Sequence, residues 1–528
     1  MTIHTKTRRT GRARLGTALL ALTALTALVA PEARAAGDAL PARPEQIQFP
    51  PLRYDPPRAA QYRVKLKNGM IAYLVPDRTL PLVNVHVLMR LGPDLDPAGK
   101  EGLAGSLVYL LTRSGTKQHT ATQMEDRLAA LGAQLDSQMG GGGGGFFGLG
   151  AAPIGPAESR VTLNLLSKDL DEGLGLMVEC LKNPAFEPDR LKLRKEQVAQ
   201  SMKRRNDESA DIEEREWGVL MRGPSHWTNR WTTAASLEAI TLDDLRAMQR
   251  RYVGPKNFLL AVSGDFDRAA MIRSLEKAFA GWPAPGERPG APAAPTEPSR
   301  EGWFLVDKDV NQGRVSIGLR ALDRYDPDYY AAVVMNDILG GGGFSSRLVN
   351  RIRSDEGLAY SVRSSLEGGG TYYADPWRAS FQSKVRSVAF AVQIAETEIG
   401  RMRDTLVTAD ELGISKGKIQ EAFPTRFETA AGIAGLLAAE ELTGRFARNP
   451  NYYAEYRDRI AAVTAEDVRR VARRLLDPTK MAVLVVGNAA DVLKGDPAHD
   501  AALTTMAGGE PTRLPLRDPL TMKPMPNP

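Results

Sequence analysis

A single cysteine, Cys180, stands in 528 residues, so no disulfide can form within the chain. It lies in the apolar run Leu174–Leu181 and reads as a packed thiol on a helix face rather than a reactive one. Histidine is nearly as scarce. Beyond the first few residues only His86, His119, His226 and His499 occur, and no two stand at metal-ligand spacing. The apolar run from Leu15 to Ala30 falls short of the roughly 20 residues that a membrane-spanning helix needs. There is also no real excess of one charge. The formal +6 is carried almost entirely by Lys6, Arg8, Arg9, Arg12, Arg14 and Arg34 against Glu32, which leaves the remainder near neutral. Electrostatics therefore gives no case for a nucleic-acid partner.

Those same basic residues, the short apolar run and the small-residue site Ala33-Arg34-Ala35 read as a secretory signal peptide over residues 1–35. Arg8-Arg9 lacks the apolar pair that twin-arginine export expects, so the general secretory route is favoured, and the leader has no cysteine for lipid attachment. The protein is expected to be periplasmic or secreted, with no membrane span once the signal is cleaved and with residues 36–60 as an N-terminal extension.

The length corresponds to roughly two to four domains at about 150 residues each, and an internal repeat shows how they are arranged. Thr241 to Pro255 aligns without a gap on Thr464 to Pro478, and Gly264 on Gly487, all at an offset of 223 residues. In each copy a Thr with Asp three positions later caps a basic amphipathic helix, a Pro-containing turn ends it, and an apolar strand follows. Residues 282–300, rich in Pro, Gly and Ala, read as an exposed linker. The fold class is α+β: two homologous domains, 61–281 and 301–495, each a mainly antiparallel sheet covered by helices on one face, followed by a loosely attached Pro-rich tail over 496–528.

Several motifs follow one another in an order that resembles a known family. They are Leu66-Lys-Asn-Gly69, Leu82 to Arg90, Asp96 to Ala104, Arg113-Ser-Gly-Thr116, Tyr252 to Asn257, Gly264-Asp-Phe-Asp267, Leu339 to Leu348 and Arg353 to Tyr360. The chain resembles the pitrilysin/insulinase family of zinc metallopeptidases, in its short-chain, processing-peptidase-like branch. Active relatives carry His-x-x-Glu-His on the first helix and a third ligand, Glu, on a later one. Three protein ligands and a water activated by a further Glu are what hydrolytic zinc requires. Here the resemblance places Gly105 and Tyr109 at the two His positions, Val108 at the base, and Ser201, or failing that Gln200, at the third ligand. None of these side chains can serve, so no metal ligand and no catalytic residue is expected in this chain alone. Leu103, Leu107, Val108, Leu110 and Leu111 make the first helix a core element.

The second half differs. Arg353 and Tyr360 stand at the spacing that the family uses for a substrate-holding pair able to donate hydrogen bonds to the scissile carbonyl. Arg347 and Arg351 are lesser candidates with structural roles. The resemblance gives Gly340, Gly341, Gly342 and Gly343 the place of a glycine-rich loop that is mobile beside the peptide channel. A second glycine run, Gly140 to Gly150 with Phe146 and Phe147, departs from the family as an apparent insertion. Neither run ends as a phosphate-binding loop does.

The implied function is that of a zinc-free, substrate-binding subunit of an exported heterodimeric metallopeptidase. Its partner would be a homologous chain carrying His-x-x-Glu-His and the zinc, and its substrate a peptide or unfolded protein. A non-enzymatic binding or scaffold protein of the same family is the alternative.

Overall fold

The computed structural model describes residue 43 and residues 54–140, 154–282, 286–367 and 371–526. The signal peptide, most of the N-terminal extension and the body of the Gly140 to Gly150 run lie outside the described residues. Among those described, no helix is long and apolar enough to cross a membrane.

The described residues from Tyr54 onward form one compact unit built on two six-stranded sheets. The first contains β1 (Arg63–Lys65), β2 (Ile71–Pro76), β3 (Leu82–Met89), β4 (Gln134–Met139), β5 (Ser159–Leu166) and β6 (Phe258–Gly264), in the order β1-β2-β6-β3-β5-β4. Only β2 and β6 run parallel. Its main helices are α1 (Leu103–Leu111), α2 (Leu170–Lys182), α3 (Pro188–Lys203), α4 (Ser209–Arg222) and α5 (Leu242–Tyr252). The second sheet contains β7 (Gly302–Asp307), β8 (Gln312–Leu322), β9 (Ala359–Leu366), β10 (Asp375–Lys384), β11 (Ala482–Gly487) and β12 (Thr512–Leu514), in the order β12-β7-β11-β8-β10-β9. With it come α6 (Tyr329–Asn336), α7 (Val388–Asp404), α8 (Ala430–Leu442) and α9 (Ala465–Leu475).

The offset of the repeat carries α5 onto α9 residue for residue and the end of β6 onto the end of β11. Both helices begin with the expected cap. Thr241 Oγ1 accepts the Asp244 amide at 3.2 Å and Thr464 Oγ1 the Asp467 amide at 3.1 Å, and each Asp side chain reaches back to the cap. β6 and β11 are buried on both faces, which is why both read as unbroken apolar runs rather than alternating ones.

What covers the second face of each sheet differs from the one-sided covering expected. Along β2, β3 and β6, Leu74, Val85, Val87 and Val262 face the first half's own helices, whereas Tyr73, Val75, Leu88 and Leu259 face a core shared with Leu437 and Ala438 of α8, from the other half. The exchange is reciprocal. Ile212, Trp217 and Leu220 of α4 pack on Phe304, Leu484 and Val486 of β7 and β11. Period-2 alternation makes this possible, because successive strand residues address opposite faces.

The tail is integrated, in contrast to the loose attachment expected. β12 extends the second sheet parallel to β7. Beyond it the chain crosses to the first half, where Arg517 grips Glu216 at 2.7 Å, Arg205 donates to the Pro519 carbonyl at 3.0 Å and the Ala234 amide donates to the Leu520 carbonyl at 2.8 Å. The linker is pinned as well: His226 Nε2 and Trp227 Nε1 both donate to the Ala293 carbonyl at 3.1 Å.

Cys180 is 1% exposed and packs with Met124 and Leu176, and burial pushes its thiol up to about 12. The native protein is therefore expected to leave a thiol-specific chromogenic reagent unconsumed at pH 8 until denaturant is added. Stoichiometric reaction without denaturant would contradict this packing.

Candidate functional site

The first candidate region is the N-terminal end of α1. Gly102 enters the helix with φ of 104°, a conformation natural to glycine. The buried Asp96 carboxylate accepts the amides of Gly102 at 2.7 Å and Ala104 at 2.6 Å, and burial raises its carboxyl to about 6 against the pull of those bonds. Val108 is 1% exposed and belongs to the core. Tyr109 lies under two guanidinium groups, Arg194 with its carbon 4.2 Å from the ring centroid and Arg113 at 4.5 Å.

Gly105 borders a cavity of about 390 Å³. The α3 side chains that line it are Arg194 and Val198, while Ser201 is exposed and Gln200 likewise. Arg194 is the neighbour that the sequence reading missed. Its only sequence signal was a cation on the same helical stripe as Val198. The site does not fit a hydrolytic zinc ion. Gly105 offers no donor, Val108 is a buried aliphatic side chain, and a dication here would meet the like charges of Arg113 and Arg194. The four described histidines are occupied elsewhere and apart: His86 with Thr162 at 3.0 Å, His119 with Glu179 at 3.3 Å, His226 on the linker and His499 stacked on Phe390 at 3.8 Å.

The second region lies in the second half. After α6 the backbone widens into a π-turn over Asp337–Gly341, tightens through Gly343–Ser345, and widens again over Val349–Asp355. Two of the glycines here meet a packing requirement. A Cβ on Gly340 would lie 2.8 Å from the Ser364 amide nitrogen, and one on Gly341 2.5 Å from Asn336 Nδ2. Gly343, with φ of 66°, releases the chain into the next turn.

These turns set Arg353 between two aromatic rings, its guanidinium carbon 4.6 Å from both the Phe344 and the Tyr360 centroids. Tyr360, 85% exposed, and Phe344, 67% exposed, flank a cation for which no hydrogen bond or ion pair is found among the described residues. The sequence pair is thus brought together, with Phe344 as a third member. Arg347 is taken up by Glu411 at 2.7 and 3.0 Å, and Arg351 by Asp355 at 3.0 Å. Tyr360 stands on β9, an edge strand whose one strand partner among the described residues is β10.

Two six-stranded sheets of matching order describe a protein of two related halves, with Arg353 and Tyr360 brought together after a glycine-rich turn. Residues 239–418 match the family model described as the Peptidase M16 inactive domain. An uncharacterized zinc protease of Streptomyces coelicolor is 30% identical over 252 residues, 46% of this chain and 53% of that protein, so the match spans about half of that relative. An uncharacterized zinc protease of Mycobacterium tuberculosis is 25% identical over 412 residues, 75% of this chain and 87% of the other. The crystal structure of a peptidase M16 inactive domain from Pseudomonas fluorescens superposes with a TM-score of 0.68 at 21% identity, covering 80% of this chain and 97% of that one. Residues 239–418 thus match a Peptidase M16 inactive domain, and three quarters of the chain is similar to an uncharacterized zinc protease.

Proposed function

We propose that this chain is the zinc-free, substrate-holding subunit of an exported heterodimeric metallopeptidase. The observation that carries the reading is the uncommitted Arg353 guanidinium, held between Phe344 and the exposed Tyr360. In this reading the free side of β9 receives an extended peptide by strand addition. Arg353 and Tyr360 then donate hydrogen bonds to the scissile carbonyl, which strengthen as charge develops on its oxygen. A homologous partner bearing His-x-x-Glu-His supplies the zinc ion and the water it activates. The donor set around Gly105 and Tyr109 supports assigning the metal to the partner, and the basic leader with its apolar run supports export.

The reading is tested by isolating the tagged chain from its host's exported fraction, identifying a stoichiometric partner, and assaying peptide hydrolysis by the reconstituted pair. Arg353→Ala is expected to lower kcat/KM roughly 10- to 100-fold, the worth of a charge-assisted hydrogen bond. Tyr360→Phe should lower it less, with both variants melting like the wild type. Activity unchanged by both substitutions would instead favour a scaffold function. Chelator-sensitive hydrolysis by the purified chain alone would defeat the assignment of zinc to a partner.

A further inference from the structure

Three arginines surround the space left by Gly105. Arg194, Arg205 and Arg230 all line the cavity of about 390 Å³. Arg194 is mostly withdrawn from water, has no ion pair among the described residues, and holds its Nε buried without a hydrogen-bond partner. Arg205 spends Nη1 on two backbone carbonyls, Thr232 at 2.8 Å and Pro519 at 3.0 Å, and no carboxylate among the described residues meets it. Burial pulls both groups below the ordinary arginine value. Arg230 donates to the Asp96 carbonyl at 2.5 Å and lies 3.5 Å from Glu101. The one acid in the lining, Asp96, is engaged by the amides of Gly102 and Ala104.

Burying a guanidinium without a counter-charge is costly, and an anion that enters recovers that cost. The remaining walls indicate what the anion is attached to. Trp227, Trp231, Val198 and Met139 are apolar surfaces, and the volume falls in the range of small-ligand sites rather than that of a single bare ion. A carboxylate on an apolar peptide fits both the charge and the walls. Arginine's planar fork is matched to that group.

We propose that the emptied metal position is a carboxylate-binding cavity, in which Arg194 receives the acid group of a peptide and Trp227 and Trp231 flank the adjoining residue. The acid comes either from the peptide's C-terminus or from an acidic side chain. The site needs neither a partner subunit nor hydrolysis, so it stands or falls separately from the divided-site peptidase.

The full mature chain is titrated, with tryptophan fluorescence as readout, against three probes: acetyl-Ala-Ala-Phe-Leu as free acid, the same peptide as C-terminal amide, and acetyl-Ala-Glu-Phe-Leu amide. The free acid is expected to bind roughly 10- to 100-fold more tightly than its amide. If the Glu-containing amide matches the free acid, the carboxylate is accepted from a side chain; if it matches the neutral amide, from the C-terminus alone. Arg194→Gln should remove the preference for acid. Gly105→Leu, whose Cβ meets nothing closer than Met139 at 3.4 Å, should block the cavity while leaving the melting temperature unchanged. Equal binding of the acid and neutral-amide probes, no binding of any probe, or a preference for acid retained in both variants would overturn the proposal.

Discussion

Expressed as separate polypeptides, residues 61–281 and 301–528 are each expected to be insoluble or molten, and to give native-like material only when produced together. The reason is the reciprocal exchange of α4 and α8. Alone, the first half exposes Tyr73, Val75, Leu88 and Leu259 on its sheet, together with Ile212, Trp217, Leu220 and Met221 on an α4 that has lost its seat. The second half exposes Phe304, Val306, Leu484 and Val486, and also Leu437 and Ala438. Each large side chain returned to water costs about 1.5–3 kcal/mol. Several per half are comparable with the whole stability of a typical domain, about 5–15 kcal/mol. The tail adds to the effect, because cutting at the linker parts Glu216 from Arg517. Circular dichroism melts and sedimentation of each half decide the matter, and a cooperative melt by either one alone would refute this packing.

Arg378→Ala is expected to cost roughly 3–5 kcal/mol, because it strands carboxylates in the seam between the halves. Arg378 on β10 reaches Glu214 at 2.7 Å, Glu367 at 3.0 Å and Glu213 at 3.2 Å, and its Nε donates to Ser316 Oγ at 2.8 Å. Burial opposes its charge, yet the three carboxylates hold the guanidinium above the ordinary arginine value. Without it, Glu213 keeps only Arg314 at 3.7 Å as a counter-ion. Removing the opposing charges at the same time, as in Arg378→Met with Glu213→Gln and Glu367→Gln, should recover much of the loss, since the penalty comes from leaving charges uncompensated. Chemical denaturation of the single and triple variants separates the two contributions; a loss under about 1 kcal/mol in the single variant would mean that water already screens the cluster.

Much of the fold was legible because its signals are local. The capping Thr residues at 241 and 464, the helices that follow them and the apolar strands β6 and β11 each announce themselves within some ten residues, and a constant offset shows that they are copies. The candidate residues Arg353 and Tyr360 were suggested by the resemblance to a family that uses such a pair at this spacing. Phe344 as the second ring against Arg353 was not, because their proximity depends on two widened helical turns that residue identity alone does not signal.

By itself the sequence determined that the chain has two related halves and that disulfides play no part in holding them. Only the tertiary structure decided that each half lends a helix to the other's sheet, that the C-terminal segment fastens the two, and that Arg194 lies over Tyr109 beside Gly105. The physical reason is that alternation along a strand specifies which side chains share a face, whereas the element that covers that face is chosen by packing between segments hundreds of residues apart.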